Sequence, residues 1–323
     1  MADNPVDAHS RGRIGSVRVG SVRVSLARHS ALGGAVQYNS GAQLDPSQVE
    51  YRSGGVGGRV AVGGGVSIIM LILALVFGIN PGELMGGTSG SAGGSASGTD
   101  LTQCQTGADV AKDRNCRFVV YANTANAYWA GLLQGYQPIK TVLFDGQTPT
   151  GCGTASTQVG PFYCPNDKNV YLDPTFTEQM LVKQLGGRGG DAAEAYVIGH
   201  EYGHGIQDMV GTLAQVQSAG QSTGADSAQV ALELQADCYA GAYLAHVAQQ
   251  PNSPISQITQ DDLNRVADAA RAVGDDSIQK MSTGQVNPES WTHGSSAMRQ
   301  HWLAVGFKTG DPQSCSKVFT NGQ

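Results

Sequence analysis

The sequence predicts an α+β domain over residues 101–323, carried behind one transmembrane helix. Three observations lead there. Residues 60–82 contain no charged side chain and are almost wholly apolar from Val66 to Ile79, enough for a bilayer crossing of about 20 residues. Short apolar runs at 141–144 and 169–172, bounded by Gly, Pro, Asn and Cys, have the length and setting of strands in a small sheet. Between 176 and 307, apolar residues recur with helical period in several longer runs.

Residues 1–59 carry Arg11, Arg13, Arg18, Arg23, Arg28, Arg52 and Arg59 against Asp3, Asp7, Asp45 and Glu50. They are rich in glycine, contain the repeat Ser16-Val-Arg-Val-Gly-Ser21-Val-Arg-Val, and are expected to be disordered. A small positive excess with few aromatics is a poor nucleic-acid-binding arm. For 60–82, the distance from the N-terminus and the lack of an A-x-A site favour an uncleaved anchor over a signal peptide. Arginines precede this stretch, Glu83 follows it, and no Lys or Arg recurs before Lys112. The positive-inside rule then predicts a single-pass protein, its N-terminus cytoplasmic and its C-terminal domain extracytoplasmic. Residues 83–100, rich in Gly and Ser, are expected to be a flexible tether.

All six cysteines lie beyond this point. An even number behind a membrane anchor points to three disulfides in an oxidising compartment, and no C-x-x-C pair supports a cysteine-based metal site. Local spacing suggests Cys104 with Cys116 and Cys152 with Cys164, leaving Cys238 with Cys315. Helices are expected over 124–134, 176–185, 192–210, 227–249, 260–273 and 295–307, with 274–292 a long polar loop around Pro288. Gly220-Gln-Ser222-Thr-Gly224 matches G-x-S-x-G but has no apolar strand before it, so a nucleophile elbow is not expected. After Gly82 there are 13 Lys and Arg against 22 Asp and Glu, a net of −9, which disfavours nucleic acid as a partner.

The chemistry is concentrated in His200-Glu201-Tyr202-Gly203-His204, an H-E-x-x-H. With seven histidines in 323 residues, a chance occurrence has a probability of only about 0.3 per cent. Residues four apart share a helix face, so His200 and His204 can offer two imidazoles to one zinc ion. Glu201 lies one step round, where a carboxylate can act as general base toward a water that the metal acidifies. Gly199, Gly203 and Gly205 cost helix stability, about 1 kcal/mol each relative to Ala, so close packing or function is expected at them. Downstream, Glu233-Leu-Gln-Ala-Asp237 lies within a helical run. Glu233 is expected to supply a third zinc ligand, and Asp237, on the same face, an acceptor that orients a histidine ligand through its other ring nitrogen.

H-E-Y-G-H-G-I-Q followed by E-L-Q-A-D-C-Y-A-G resembles the bacterial family of neutral zinc metallopeptidases, membrane-anchored relatives of gluzincins such as thermolysin. Cys152-Gly-Thr-Ala, the stretch 160–173 and the stretch 292–299 also match, so that the resemblance covers most of residues 38–315. One departure is Gly205, where relatives often carry a second histidine. The resemblance implies a zincin-like architecture and one bound Zn²⁺.

The function expected is hydrolysis of peptide bonds in a protein or peptide substrate at the cell envelope. A non-catalytic, zinc-stabilised binding domain is the alternative, but such a site has no use for Glu201. An oxyanion donor is still needed opposite the base, and His293, in a loop before the last helix, is the candidate. Tyr196, Tyr202, Tyr239 and Arg299 stand behind it.

Overall fold

The computed structural model describes residues 36–53, 97–220, 222–247, 249–250 and 252–320. A mixed five-stranded sheet runs in the order β3–β2–β4–β8–β7, from β2 (Val49–Ser53), β3 (Ser97–Asp100), β4 (Lys140–Asp145), β7 (Phe162–Cys164) and β8 (Asn169–Leu172). β2, β4 and β8 are parallel, while β3 and β7 are antiparallel to their neighbours. β4, Lys-Thr-Val-Leu-Phe-Asp, is buried except at its two ends, so its apolar run is continuous rather than alternating. Leu143 joins the main core on the helical side, whereas Val142 and Phe144 meet Phe162, Tyr171 and Val159 on the other. Ala155, from the hairpin of β5 (Gln147–Thr150) and β6 (Gly153–Ser156), packs into that second cluster.

Against the sheet lie α1 (Cys116–Leu132) and α2 (Asp191–Met209), followed by α3 (Thr212–Ser218), α4 (Ala228–Val247), α5 (Gln260–Ala272), α6 (Asp275–Thr283) and α7 (Ser296–Thr309). α2, which carries H-E-x-x-H, and α4, which carries Glu233, are buried on nearly all sides. The glycines of α2 explain how they meet. A Cβ on Gly199 would stand 2.9 Å from the Tyr243 ring and 3.4 Å from Ala240, and one on Gly203 would stand 3.1 Å from the Ala236 backbone. A Cβ on Gly205 would meet the tip of the Ile139 side chain at 2.4 Å and the Tyr163 ring at 3.2 Å, so a larger residue here requires Ile139 to shift. At its N-terminal end α2 is tied to α1 by the buried Arg117–Glu194 pair, with Arg117 Nη2 2.8 Å from Glu194 Oε1. The other face of α4 receives α7 just as closely: a Cβ on Gly306 would lie 1.9 Å from the Cys238 carbonyl oxygen, and one on Gly241 2.1 Å from that of Leu303.

The disulfides are Cys104–Cys116, Cys152–Cys164 and Cys238–Cys315. The last fastens the C-terminal 3₁₀ segment Pro312–Phe319 to α4.

Several expectations need correction. Residues 36–53 are not a disordered arm: β1 (Gln37–Tyr38) pairs with β9 (Ile255–Gln257), β2 lies inside the sheet, and Val36, Leu44 and Val49 are buried. These strands are short and their partners distant in sequence, so no local pattern announces them. The end of the expected tether, Ser97–Asp100, is β3. Residues 36–53 therefore belong to the same fold as 101–320. The expected span 60–82 lies outside the described residues, as do 1–35, and among the described residues no helix is long and apolar enough to cross a membrane. α1 starts eight residues before its expected first turn, because Cys-Arg-Phe-Val-Val-Tyr, rich in β-branched and aromatic residues, is buried all round and shows no stripe. The helix expected over 176–185 is a short π-helical turn, Thr177–Val182. The polar stretch 274–292 contains α6, closed by Gly284 at φ +74°.

Gly306→Ala weighs two effects against each other. Alanine gains about 1 kcal/mol in helix propensity, while overpacking costs about 1–3 kcal/mol and more where the clash is with backbone. Contact at 1.9 Å with a carbonyl oxygen makes overpacking win. Denaturant unfolding is expected to show a net loss of about 2 kcal/mol; equal or greater stability would mean that α4 and α7 are not this close.

Candidate metal centre

α2 and α4 bring His200, His204 and Glu233 together, one ligand atom from each lying within 4.8 Å of the others. The Nε2 atoms of the two histidines are 3.1 Å apart, and Glu233 Oε2 lies 3.2 Å from His200 Nε2 and 3.6 Å from His204 Nε2. A tetrahedral zinc with bonds of about 2.0–2.1 Å separates neighbouring donors by about 3.3–3.4 Å. The three edges match one face of that tetrahedron. Glu233 Oε2 is buried without a partner of hydrogen-bonding geometry, although His200 is close. A donor set of two imidazoles and one carboxylate suits zinc.

The electrostatics agree. Burial opposes charge on Glu233, yet His204 and His293 hold its carboxyl well below the usual range. Burial likewise opposes charge on His200, but Asp237, with Glu233, outweighs it and raises the imidazole to about 10. His204 is raised by Glu233 against the same penalty. Buried negative charge thus draws protons onto both imidazoles, at a place where a dication can replace them.

Each histidine is oriented from behind. His200 Nδ1 lies 2.9 Å from Asp237 Oδ1, which leaves Nε2 toward Glu233. Arg299 clamps Asp237 with Nε to Oδ2 at 2.8 Å and Nη2 to Oδ1 at 2.9 Å, and Tyr196 donates to Oδ1 at 2.6 Å. Although burial opposes its charge, Asp237 is held at about 2, chiefly by Arg299. His204 Nδ1 lies 2.8 Å from Gln207 Oε1, and the Gln207 amide donates to the Leu232 carbonyl at 2.7 Å and to Gln235 at 3.0 Å. This second orienting residue escaped the sequence reading, although its i, i+3 placement after His204 was visible.

His293 Nε2 stands 3.9 Å from Glu233 Oε2. Its loop is held by Asp275, whose Oδ2 accepts from the backbone N–H groups of Thr292, His293 and Gly294 at 2.8, 2.7 and 2.9 Å. Its Nδ1 lies 2.9 Å from Thr292 Oγ1. Asp275 was hidden because its helix was expected to be loop. The alternatives to His293 are placed elsewhere or already engaged: Tyr202 donates to the Ile139 carbonyl, Tyr239 packs edge-on to Trp129, and Tyr196 and Arg299 are occupied with Asp237.

Beside the centre opens a cleft. Tyr196, His200, Glu201, His293 and Arg299 line its polar end, and the remainder is apolar. Glu201 is only 3 % exposed and has no hydrogen bond or ion pair among the described residues.

Zinc analysis of the purified chain should find one ion, lost from His204→Ala and from Glu233→Ala under mild chelation. Asp237→Asn should retain the site with zinc bound about 10–100-fold more weakly. Zinc retained by Glu233→Ala but lost from Asp237→Asn would make Asp237 the third ligand.

The family model described as "Putative neutral zinc metallopeptidase" matches residues 40–318. A protein of Mycobacterium tuberculosis strain H37Rv, described as uncharacterized, is 49 % identical over 225 residues, covering 68 % of this chain and 76 % of the relative. The uncharacterized protein YpfJ of Escherichia coli K12 is 36 % identical over 282 residues, 81 % of this chain and 90 % of the relative. No solved structure matches significantly. With H-E-x-x-H, Glu233 and the cleft all inside the matched span, the chain belongs to the family described as "putative neutral zinc metallopeptidase".

Proposed function

We propose that the protein is a zinc-dependent peptidase, with His200, His204 and Glu233 holding the ion, Glu201 as general base and His293 as oxyanion donor. The observation that carries this is the three-donor face, with edges of 3.1, 3.2 and 3.6 Å, next to a carboxylate that faces a cleft without a partner. A purely structural site would leave no reason to bury an unpaired Glu201 there. When bound, zinc supplies Lewis acidity, polarising the substrate carbonyl and lowering the pKa of water.

The chain's own groups do the rest. Asp237 and Gln207 keep the Nδ1 sides of the ligand histidines engaged, so that both present Nε2. Glu201 takes the proton of the attacking water and returns it to the leaving amine. His293, steadied by Thr292 and Asp275, donates from Nε2 to the oxygen that gains charge. For location we propose an oxidising compartment, supported by three disulfides that use all six cysteines.

Glu201→Gln should keep zinc and fold yet lose hydrolysis of a peptide substrate, since an amide cannot accept the proton. His293→Ala should lower kcat about 100-fold or more with zinc retained. Turnover unchanged in the first would require another base; in the second it would remove His293 from the reaction.

Location is tested by placing cysteines at exposed Ser47 and Lys308 and treating intact cells with a membrane-impermeant maleimide. Both positions should label, because the segment carrying Ser47 shares its sheet with the rest of the domain. Protection of both, or six free thiols, would put the domain in the cytoplasm.

A further inference from the structure

The cleft beside Glu201 bears on what kind of polypeptide the protein takes. Phe176, Met180 and Leu185 line it from the segment before α2, Val197 from α2 itself, and Ile278 from α6. It opens next to His200 and Glu201 and includes neither His204 nor Glu233, so it lies on the N-terminal side of the histidine pair.

An exopeptidase must recognise a chain terminus, and in an apolar cleft a terminal charge needs an opposite charge free to meet it. Of the three basic groups in the described lining, His293 stands between Glu233 at 3.9 Å and Asp275 at 3.7 Å and is assigned above to the oxyanion, and the other two are engaged. The Arg299 guanidinium is spent on Asp237, on Tyr196 and, through Nη1, on the Val273 carbonyl at 3.2 Å. His200 is engaged by Asp237. For a terminal ammonium the acid available in the lining is Glu201, and an ammonium paired there would disable the base.

We propose that the cleft accepts a large apolar side chain from an internal residue of an extended polypeptide, so that the protein is an endopeptidase selective for apolar residues next to the scissile bond. This rests on the zinc-peptidase reading above. Removing a Leu or Phe side chain from water into such a cleft favours it over a small polar one by about 10–100-fold.

The test is binding to the zinc-loaded full chain carrying Glu201→Gln, measured calorimetrically with tripeptides acetylated and amidated at their ends. Peptides with central Phe or Leu should bind at least about tenfold more tightly than those with Ser or Asp, and freeing either terminus should not tighten binding. Val197→Phe and, separately, Ile278→Phe should weaken the Phe peptide more than the Ala peptide, with zinc stoichiometry unchanged. Equal affinity for Phe and Asp peptides, or tighter binding on freeing a terminus, overturns the proposal. The wild type separates the two levels of inference. Glu201-dependent cleavage without apolar preference sinks the pocket and leaves the peptidase; apolar-selective binding without any cleavage sinks the peptidase and leaves the pocket.

Discussion

The close approach of α2 and α4 is the constraint on which the site depends. Two imidazoles on one helix and a carboxylate on the next come within 3.2–3.6 Å only if the helix backbones nearly touch. Gly199 and Gly203 face Ala236 and Ala240 at this contact, one helical turn apart on each side. The lost helix propensity is a local cost; in return the interface has no side chain large enough to hold the helices apart. On its far side α4 repeats the device with Gly241 and Gly306, so that α7 is near enough for Arg299 to reach Asp237. Small residues thus set the spacing of three layers, and the polar contacts follow from that spacing.

Buried charge shows the same economy. Glu194 faces Arg117, Asp237 faces Arg299, and Asp275 is met by three backbone N–H groups. Glu233 sits between imidazoles, where a cation is wanted. Glu201 departs from the pattern: it is enclosed and has no hydrogen bond or ion pair among the described residues, only the electrostatic pull of His204 across the helix turn. A carboxylate without hydrogen-bonded partners keeps its lone pairs free to accept a proton.

Much of this was legible in the sequence where the signal is local. H-E-x-x-H depends on spacing within one helix, and Glu233 with Asp237 on a shared face, so both sets could be named before any fold was known. α2, α4, α5 and α7 lie within a few residues of their expected bounds, since long runs with caps are well marked. What escaped depends on contacts distant in sequence. β1 and β2 take their order from partners far along the chain, α6 has only Ile278 and Met281 to mark its apolar side, and Asp275 acts on a loop beyond its own helix. The three glycines of α2 were noticed as a cost, but their partners on α4 could not be guessed from composition.

The pairing of Ser53 with Ser97, together with the parallel pairing of the same strand with β4, places Val49–Ser53 between two partners and not at an edge. A strand hydrogen-bonded on both sides cannot be removed without exposing the donors and acceptors of its neighbours. A version of the domain begun at residue 101 would therefore leave the β4 edge open to pairing with another chain.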